Sequence, residues 1–132
     1  MLKKFINNLK PTTASTENAV DVKICRSIED YQQILQQSQQ KPVLLFKHSN
    51  ACPVSARAWR KFEKFVTTAI GIEAWQVSVI ENRAVSQHIA SDSGVHHQSP
   101  QVILFNKGRA VWDESHWSIS EKSLQKALLQ FA

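Results

Sequence analysis

Two features are scarce in this chain: sulfur and long apolar runs. Only two of its 132 residues are cysteine, Cys25 and Cys52, which excludes the disulfide framework of a small secreted domain. No stretch approaches the roughly 18 consecutive apolar residues of a membrane-spanning helix, and the apolar residues behind Lys3 and Lys4 are too few for a signal-peptide core. A cytoplasmic protein with no membrane role is expected. Aromatics are sparse among the basic residues. Sixteen Lys and Arg against eleven Asp and Glu leave a net charge of +5, but charge without stacking platforms offers only non-specific phosphate contacts, so no specific nucleic-acid partner is expected.

The length suits one domain. Residues 1–19 shift to Thr, Ser, Pro and Asn after the lysines and read as a flexible N-terminal tail, leaving residues 20–132 as the domain. Val20 to Cys25 alternates apolar and polar residues, the mark of a short strand with Val20, Val22 and Ile24 on one face. Ser27 with Asp30 caps a helix whose inner face is Ile28, Tyr31, Ile34 and Leu35, ended by Pro42. Val43 to Phe46 is a continuous apolar run, expected as a strand buried on both faces. A second helix starts at Pro53 and carries Val54, Ala58, Phe62, Phe65 and Ala69 inward, with Gly71 as its stop. Trp75, Val77 and Val79 define a third strand. Asn82 to Ser93 forms a helix with Ala84, Val85, His88 and Ile89 inward, ended by Gly94. Val102 to Phe105 and Ala110 to Trp112 form a hairpin through Asn106-Lys107-Gly108-Arg109. Ser118 with Glu121 reads as the capping box of a last helix with Leu124, Ala127, Leu128 and Phe131 inward. The order β-α-β-α-β-α-β-β-α predicts an α/β domain with a mostly parallel central sheet covered by helices on both faces.

Cys52 stands where a strand hands over to a helix, in Ser49-Asn50-Ala51-Cys52-Pro53-Val54-Ser55. The first amides of a helix lack intrahelical partners and carry the positive end of its dipole, so a thiol there is favoured as thiolate, the nucleophilic form. The fourth position of the motif is Ser55, so no internal Cys-x-x-Cys disulfide can close. Whatever attaches to Cys52 is removed by an outside or distant thiol. Cys25, in mid-strand, reads as a packing residue, with a resolving thiol as the minor alternative. Two readings stand for Ser55: a hydrogen bond to the Cys52 sulfur, or simple occupancy of the first helical turn. Arg57, Arg60, Lys61 and Lys64 form either a solvated helix face or a seat for a small anionic thiol or an acidic protein surface. His48, His96 and His97 lack the short ligand spacing of a zinc site, and no metal is expected. A Cys-His hydrolase would need His48 or His97 beside Cys52, with an orienting third group that the sequence does not display.

The helix-start cysteine after the second strand and Ser99-Pro100 before the fourth resemble the layout of the thioredoxin fold. Within it, Phe46-Lys47-His48-Ser49 leading into Cys52-Pro53-Val54-Ser55, then Ser99-Pro100-Gln101, Gly108-Arg109-Ala110-Val111-Trp112 and Ser115-His116-Trp117 resemble the monothiol bacilliredoxin, or general-stress, family. The resemblance implies a thioredoxin-like mixed central sheet of about five strands flanked by helices. It also implies a monothiol thiol-disulfide oxidoreductase that removes bacillithiol or a similar small thiol from mixed disulfides on client proteins. Cys52 would attack, with Ser49, Asn50, Ala51, Pro53, Val54 and Ser55 forming the loop and helix start around it. Ser99 and a cis Pro100 would align the substrate. No bound cofactor is implied, the small thiol acting as co-substrate and S-thiolated proteins as partners. Trp112, His116 and Trp117 read either as the lining of a substrate groove or as packing over the sheet. The competing expectation is a non-catalytic thioredoxin-fold binding or stress-response module whose Cys52 is modified without turnover.

Overall fold

The computed structural model describes residues 21–132, and the tail expected at residues 1–19 and the strand start at Val20 lie outside them. Five strands and four helices follow in chain order: β1 (Val22–Ile24), α1 (Ile28–Gln37), β2 (Val43–His48), α2 (Pro53–Thr68), β3 (Glu73–Ser78), α3 (Arg83–Ser93), β4 (Gln101–Asn106), β5 (Arg109–Ser115) and α4 (Glu121–Phe131). The strands form one sheet in the order β1-β3-β2-β4-β5. Pairings β1–β3 and β2–β3 are parallel, whereas β2–β4 and β4–β5 are antiparallel. The sheet is therefore mixed, as the resemblance implied, and not the mostly parallel sheet read from the order of elements alone. The path from α3 returns the chain to β2's free edge in the opposite sense, and the tight hairpin then reverses it again.

Alternation along the strands splits the core in two. Leu44, Phe46, Ala74, Val102 and Leu104 face one side, where Ala58, Phe62 and Val66 of α2 and Leu124 and Ala127 of α4 cover them. Val43, Leu45, Trp75, Val77, Ile103 and Phe105 face the other, under Tyr31 and Ile34 of α1 and Val85 and Ile89 of α3. Strand β2 runs to His48, two residues beyond its apolar run, so the same alternation carries Lys47 to the α3 side. His48 goes to the α2 side.

Several expected faces shift at the edges. Ile24 is exposed at the end of the edge strand β1 and Ile28 at the start of α1, whereas Cys25 is fully buried in the core under α1 and α3. On α2 the buried stripe is Ser55, Ala58, Phe62 and Val66, with Val54 and Phe65 half-buried. On α3 Ser86 is buried and Ala84 exposed. Phe131 is exposed at the end of α4.

The expected cap of α1 is present, with Asp30 N–H donating to Ser27 Oγ at 3.1 Å. That of α4 is displaced. Ser118 lies in a 3₁₀ turn (His116–Ser118), and the reciprocal cap is formed by Ser120 and Ser123 at 3.0 Å each way. The turn is held there by Pro100 O, which takes the His116 N–H at 3.0 Å, and by Ile119, buried in the core just before the helix. At the hairpin, Lys107 and Gly108 have φ of 56° and 82°, the positive values a two-residue turn of matching twist requires. Ser38, buried at the end of α1, holds this turn: its carbonyl accepts from Lys107 N–H and its hydroxyl from Gly108 N–H, both at 2.8 Å.

Candidate active site

The loop Ser49-Asn50-Ala51 joins the end of β2 to α2, and Cys52 is the N-cap residue, with extended backbone (φ −116°, ψ 120°). Pro53 follows at the first helical position, where a missing N–H costs nothing. Ala56 N–H donates to Cys52 O at 3.1 Å, the first bond of the helix, and Cys52 N–H donates back to Ser49 O at 3.3 Å. The Cys52 side chain is half-buried and makes no capping hydrogen bond to the first-turn amides. The sulfur thus stands at the positive end of a 16-residue helix without being locked onto it.

Ser55 answers the question its position raised. It is fully buried, and its hydroxyl accepts the Ser49 N–H at 2.9 Å and lies 2.8 Å from His48 Nδ1. Burial holds His48 below the ordinary imidazole range, so this contact joins a neutral imidazole to the Ser55 hydroxyl. Ser55 therefore staples both ends of the cysteine loop, and no hydrogen bond joins it to the Cys52 sulfur among the described residues. Below the loop, Trp59 packs with Phe46, His48 and Phe62, ring centroids 5.2, 5.5 and 5.6 Å away. Sequence reading passed over Trp59, although it stands four residues beyond Ser55 on the same helix face.

The Ser99-Pro100 peptide bond is cis, and Pro100 is buried. Gln101, the next residue, pairs with Lys47 in the antiparallel β2–β4 ladder. The start of β4 and the end of β2 are therefore neighbours, which brings Ser99-Pro100 and the Cys52 loop to the same end of the sheet. The Ser99 hydroxyl is buried there without a partner among the described residues. Trp117 is exposed, with the Arg57 guanidinium 5.3 Å from its ring centroid. Beside it a small cleft is lined by Val54, Arg57, Lys61, His116 and Trp117 among others. Trp112 instead packs half-buried against the α2–α4 core. Of the three residues read as groove or packing, His116 and Trp117 thus lie by the start of α2, and Trp112 packs on the sheet.

Both cysteines are free thiols. Cys25 lies just past β1, on the α1–α3 side of the sheet and two strands from β2, and its thiol is pushed up to about 12, first by burial and then by Asp30. It is a packing residue in this state. Among the described residues, no group of three or more His, Cys, Asp and Glu is gathered as for a metal ion. His48 Nδ1 is engaged by Ser55 and His97 Nδ1 by Lys47. No described helix is long and apolar enough to cross a membrane.

The sheet order, the helix-start thiol and the cis-proline beside it define a thiol-redox protein of the thioredoxin fold. The family model described as Monothiol bacilliredoxin BrxC matches residues 23–124, and the chain belongs to that family. Among solved structures, it is similar to a candidate oxidoreductase with a thioredoxin fold, at 32% identity and a TM-score of 0.73 over 86% of this chain and 96% of the other. The thioredoxin of Malassezia sympodialis shares the fold at 20% identity, with a TM-score of 0.69 over 86% and 92% of the two chains. Fasciola hepatica thioredoxin does so at 14% identity, with a TM-score of 0.69 over 84% and 100%.

Proposed function

We propose that this protein is a monothiol thiol-disulfide oxidoreductase that strips bacillithiol, or a small thiol like it, from S-thiolated client proteins in the cytoplasm. The Cys52 thiolate attacks the small-thiol sulfur of the client mixed disulfide. That S–S bond breaks, the client sulfur leaves as a thiolate and takes a proton, and the small thiol stays on Cys52 as a new disulfide. A second small thiol, as its thiolate, then attacks the small-thiol sulfur of that adduct. It departs as the oxidised dimer and restores the Cys52 thiolate. One client mixed disulfide is reduced for each free small thiol consumed, and the two small thiols leave joined as one disulfide. Backbone groups of Ser99 and Pro100 align the client, and Asn50, Ala51, Val54 and the first turn of α2 surround the reacting sulfurs. No bound cofactor is required.

The observation that carries this reading is the isolation of Cys52. It is the one accessible sulfur among the described residues, Ser55 in the fourth position is a stapled hydroxyl, and Cys25 is buried across the sheet. A disulfide formed on Cys52 has no neighbouring thiol to close on, so an external small thiol must discharge it.

The test is intact-protein mass spectrometry during reaction with a client carrying bacillithiol, or glutathione, as a mixed disulfide. Wild type is expected to gain one adduct on Cys52 and lose it on addition of excess free thiol, with the client recovered reduced. An adduct that forms but never discharges would instead identify a binding module. A persistent Cys25–Cys52 disulfide would replace the monothiol mechanism with a two-cysteine one.

A further inference from the structure

Lys47 is fully buried, at a strand position where alternation turns it under α3. Its Nζ lies 3.1 Å from Ser86 O and 3.1 Å from His97 Nδ1, both neutral acceptors, and it forms no ion pair among the described residues. A buried ammonium with no counter-charge is costly unless something compensates it. Beside it a cleft of about 260 Å³ is lined by Val79, Arg83, Ser86, Gln87 and His97, with no carboxylate in its wall.

The polar groups here are of one kind. Since the Lys47 ammonium only donates, the neutral His97 ring accepts at Nδ1 and carries its proton on Nε2, which makes the exposed nitrogen a donor. Arg83 adds a guanidinium, and the Asn82 side chain leaves the first amides of the 11-residue α3 uncapped. The Ser86 hydroxyl, almost fully buried, has no partner among the described residues. Burial, and then Lys47, His96 and Arg83, hold His97 below the ordinary imidazole range, so the ring lies in the field of the Lys47 and Arg83 cations. Asp92 of α3 is occupied by the Tyr31 hydroxyl at 2.8 Å. The loop carrying His97 is pinned by Gln101, whose side-chain amide donates to His96 O at 2.9 Å.

We propose that this cleft binds a small oxyanion, a carboxylate or phosphate group, held by Arg83 and His97 with the Lys47 charge behind them. The site opens at the strand ends that also carry the Cys52 loop, because Lys47 immediately precedes His48 and His97 precedes Ser99-Pro100 by two residues. The oxyanion arrives either as a free small anion or as the acidic end of the small thiol, and the second source rests on the function proposed above.

The experiment uses the full chain with Cys52→Ser, so that binding is read without thiol exchange. Inorganic phosphate and succinate are titrated at low salt and followed by NMR of the His97 ring, the Arg83 side chain and the α3 amides. Saturable shifts are expected at these groups, with affinity about tenfold lower in Arg83→Ala, the loss of one charge-assisted hydrogen bond. Lys47→Met is expected to weaken both anions similarly while remaining folded. No saturable shift with either anion, or equal binding by wild type and Arg83→Ala, overturns the proposal. A second arm compares turnover by Arg83→Ala, with Cys52 intact, using glutathione and the uncharged thiol 2-mercaptoethanol. A KM raised for glutathione alone assigns the site to the thiol, and an unchanged KM alongside the binding shifts assigns it to a free anion.

Discussion

Ser55 Oγ lies 2.8 Å from His48 Nδ1 and also takes the amide proton of Ser49, so one buried hydroxyl ties the end of β2 to the first turn of α2 across the cysteine loop. A serine in the fourth motif position does more here than stand in for a second thiol. Ser55→Ala should leave a half-buried amide and a ring nitrogen without their partner and destabilise the fold by about 1–2 kcal/mol. Denaturant unfolding reads the loss, and slower thiol exchange should accompany it. Unchanged stability would mean that the staple contributes nothing.

The two cysteines should react on different clocks. Cys52 is accessible, whereas Cys25 is fully buried with its thiol pushed up to about 12 by burial and Asp30. Iodoacetamide at neutral pH, with each cysteine followed by peptide mass, should modify Cys52 well before Cys25. Cys52→Ser should form no adduct with a thiolated client, and Cys25→Ser should behave as wild type. Ser55→Cys, which supplies a neighbouring thiol, should shorten the life of the Cys52 adduct. Faster labelling at Cys25 would move the nucleophile there.

Lys47 predicts a pH signature. Burial lowers it from 10.5 to about 8, so between those values the unfolded chain holds a proton that the folded protein has lost, and stability from this group rises with pH. Below about 8 the lysine is charged in both states and the full cost of burying it is felt. The stability of wild type relative to Lys47→Met should therefore climb by up to about 3 kcal/mol between pH 8 and 10.5. Taking the difference between variants removes the opposite slope from Cys25, whose raised value makes stability fall as pH rises above 9.0. A flat difference across that window would show that Lys47 titrates normally.

At the β4–β5 turn, Gly108 has φ of 82°, and an added Cβ would come within 2.6 Å of Gln39 Nε2. Gly108→Ala should cost about 1–2 kcal/mol from the left-handed backbone, with the flexible Gln39 amide moving aside. Lys107, at φ 56°, occupies a position that favours asparagine, so Lys107→Asn should stabilise by up to about 1 kcal/mol. Thermal denaturation of both variants checks the pair, and a loss of stability in Lys107→Asn would contradict the turn geometry.

Local patterns were most legible where one residue type has one structural use. Pro53 after a cysteine, with a helical stripe beyond and an apolar run before, marked the helix start that holds Cys52. Lys107-Gly108 marked the hairpin. Where two patterns overlap, local reading went astray. Ser118 with Glu121 and Ser120 with Ser123 both offer a helix start, and the bond from His116 N–H to Pro100 O, sixteen residues apart in sequence, selects the second.

The order of elements, their α/β class and the candidate nucleophile were determined by the sequence itself, because helix starts, strand runs and tight turns depend on residues a few positions apart. The tertiary structure decided the rest. Strand β4 enters against β2 and makes the sheet mixed, since pairing direction depends on where the chain returns. Ser55 turns from the sulfur to His48, and Lys47 lies buried beside His97 and the start of α3, because burial and hydrogen-bond partners come from side chains far away in sequence. In the sequence Lys47 is only a charge at the end of an apolar run, and the packing of α3 over β2 is what makes it a buried cation.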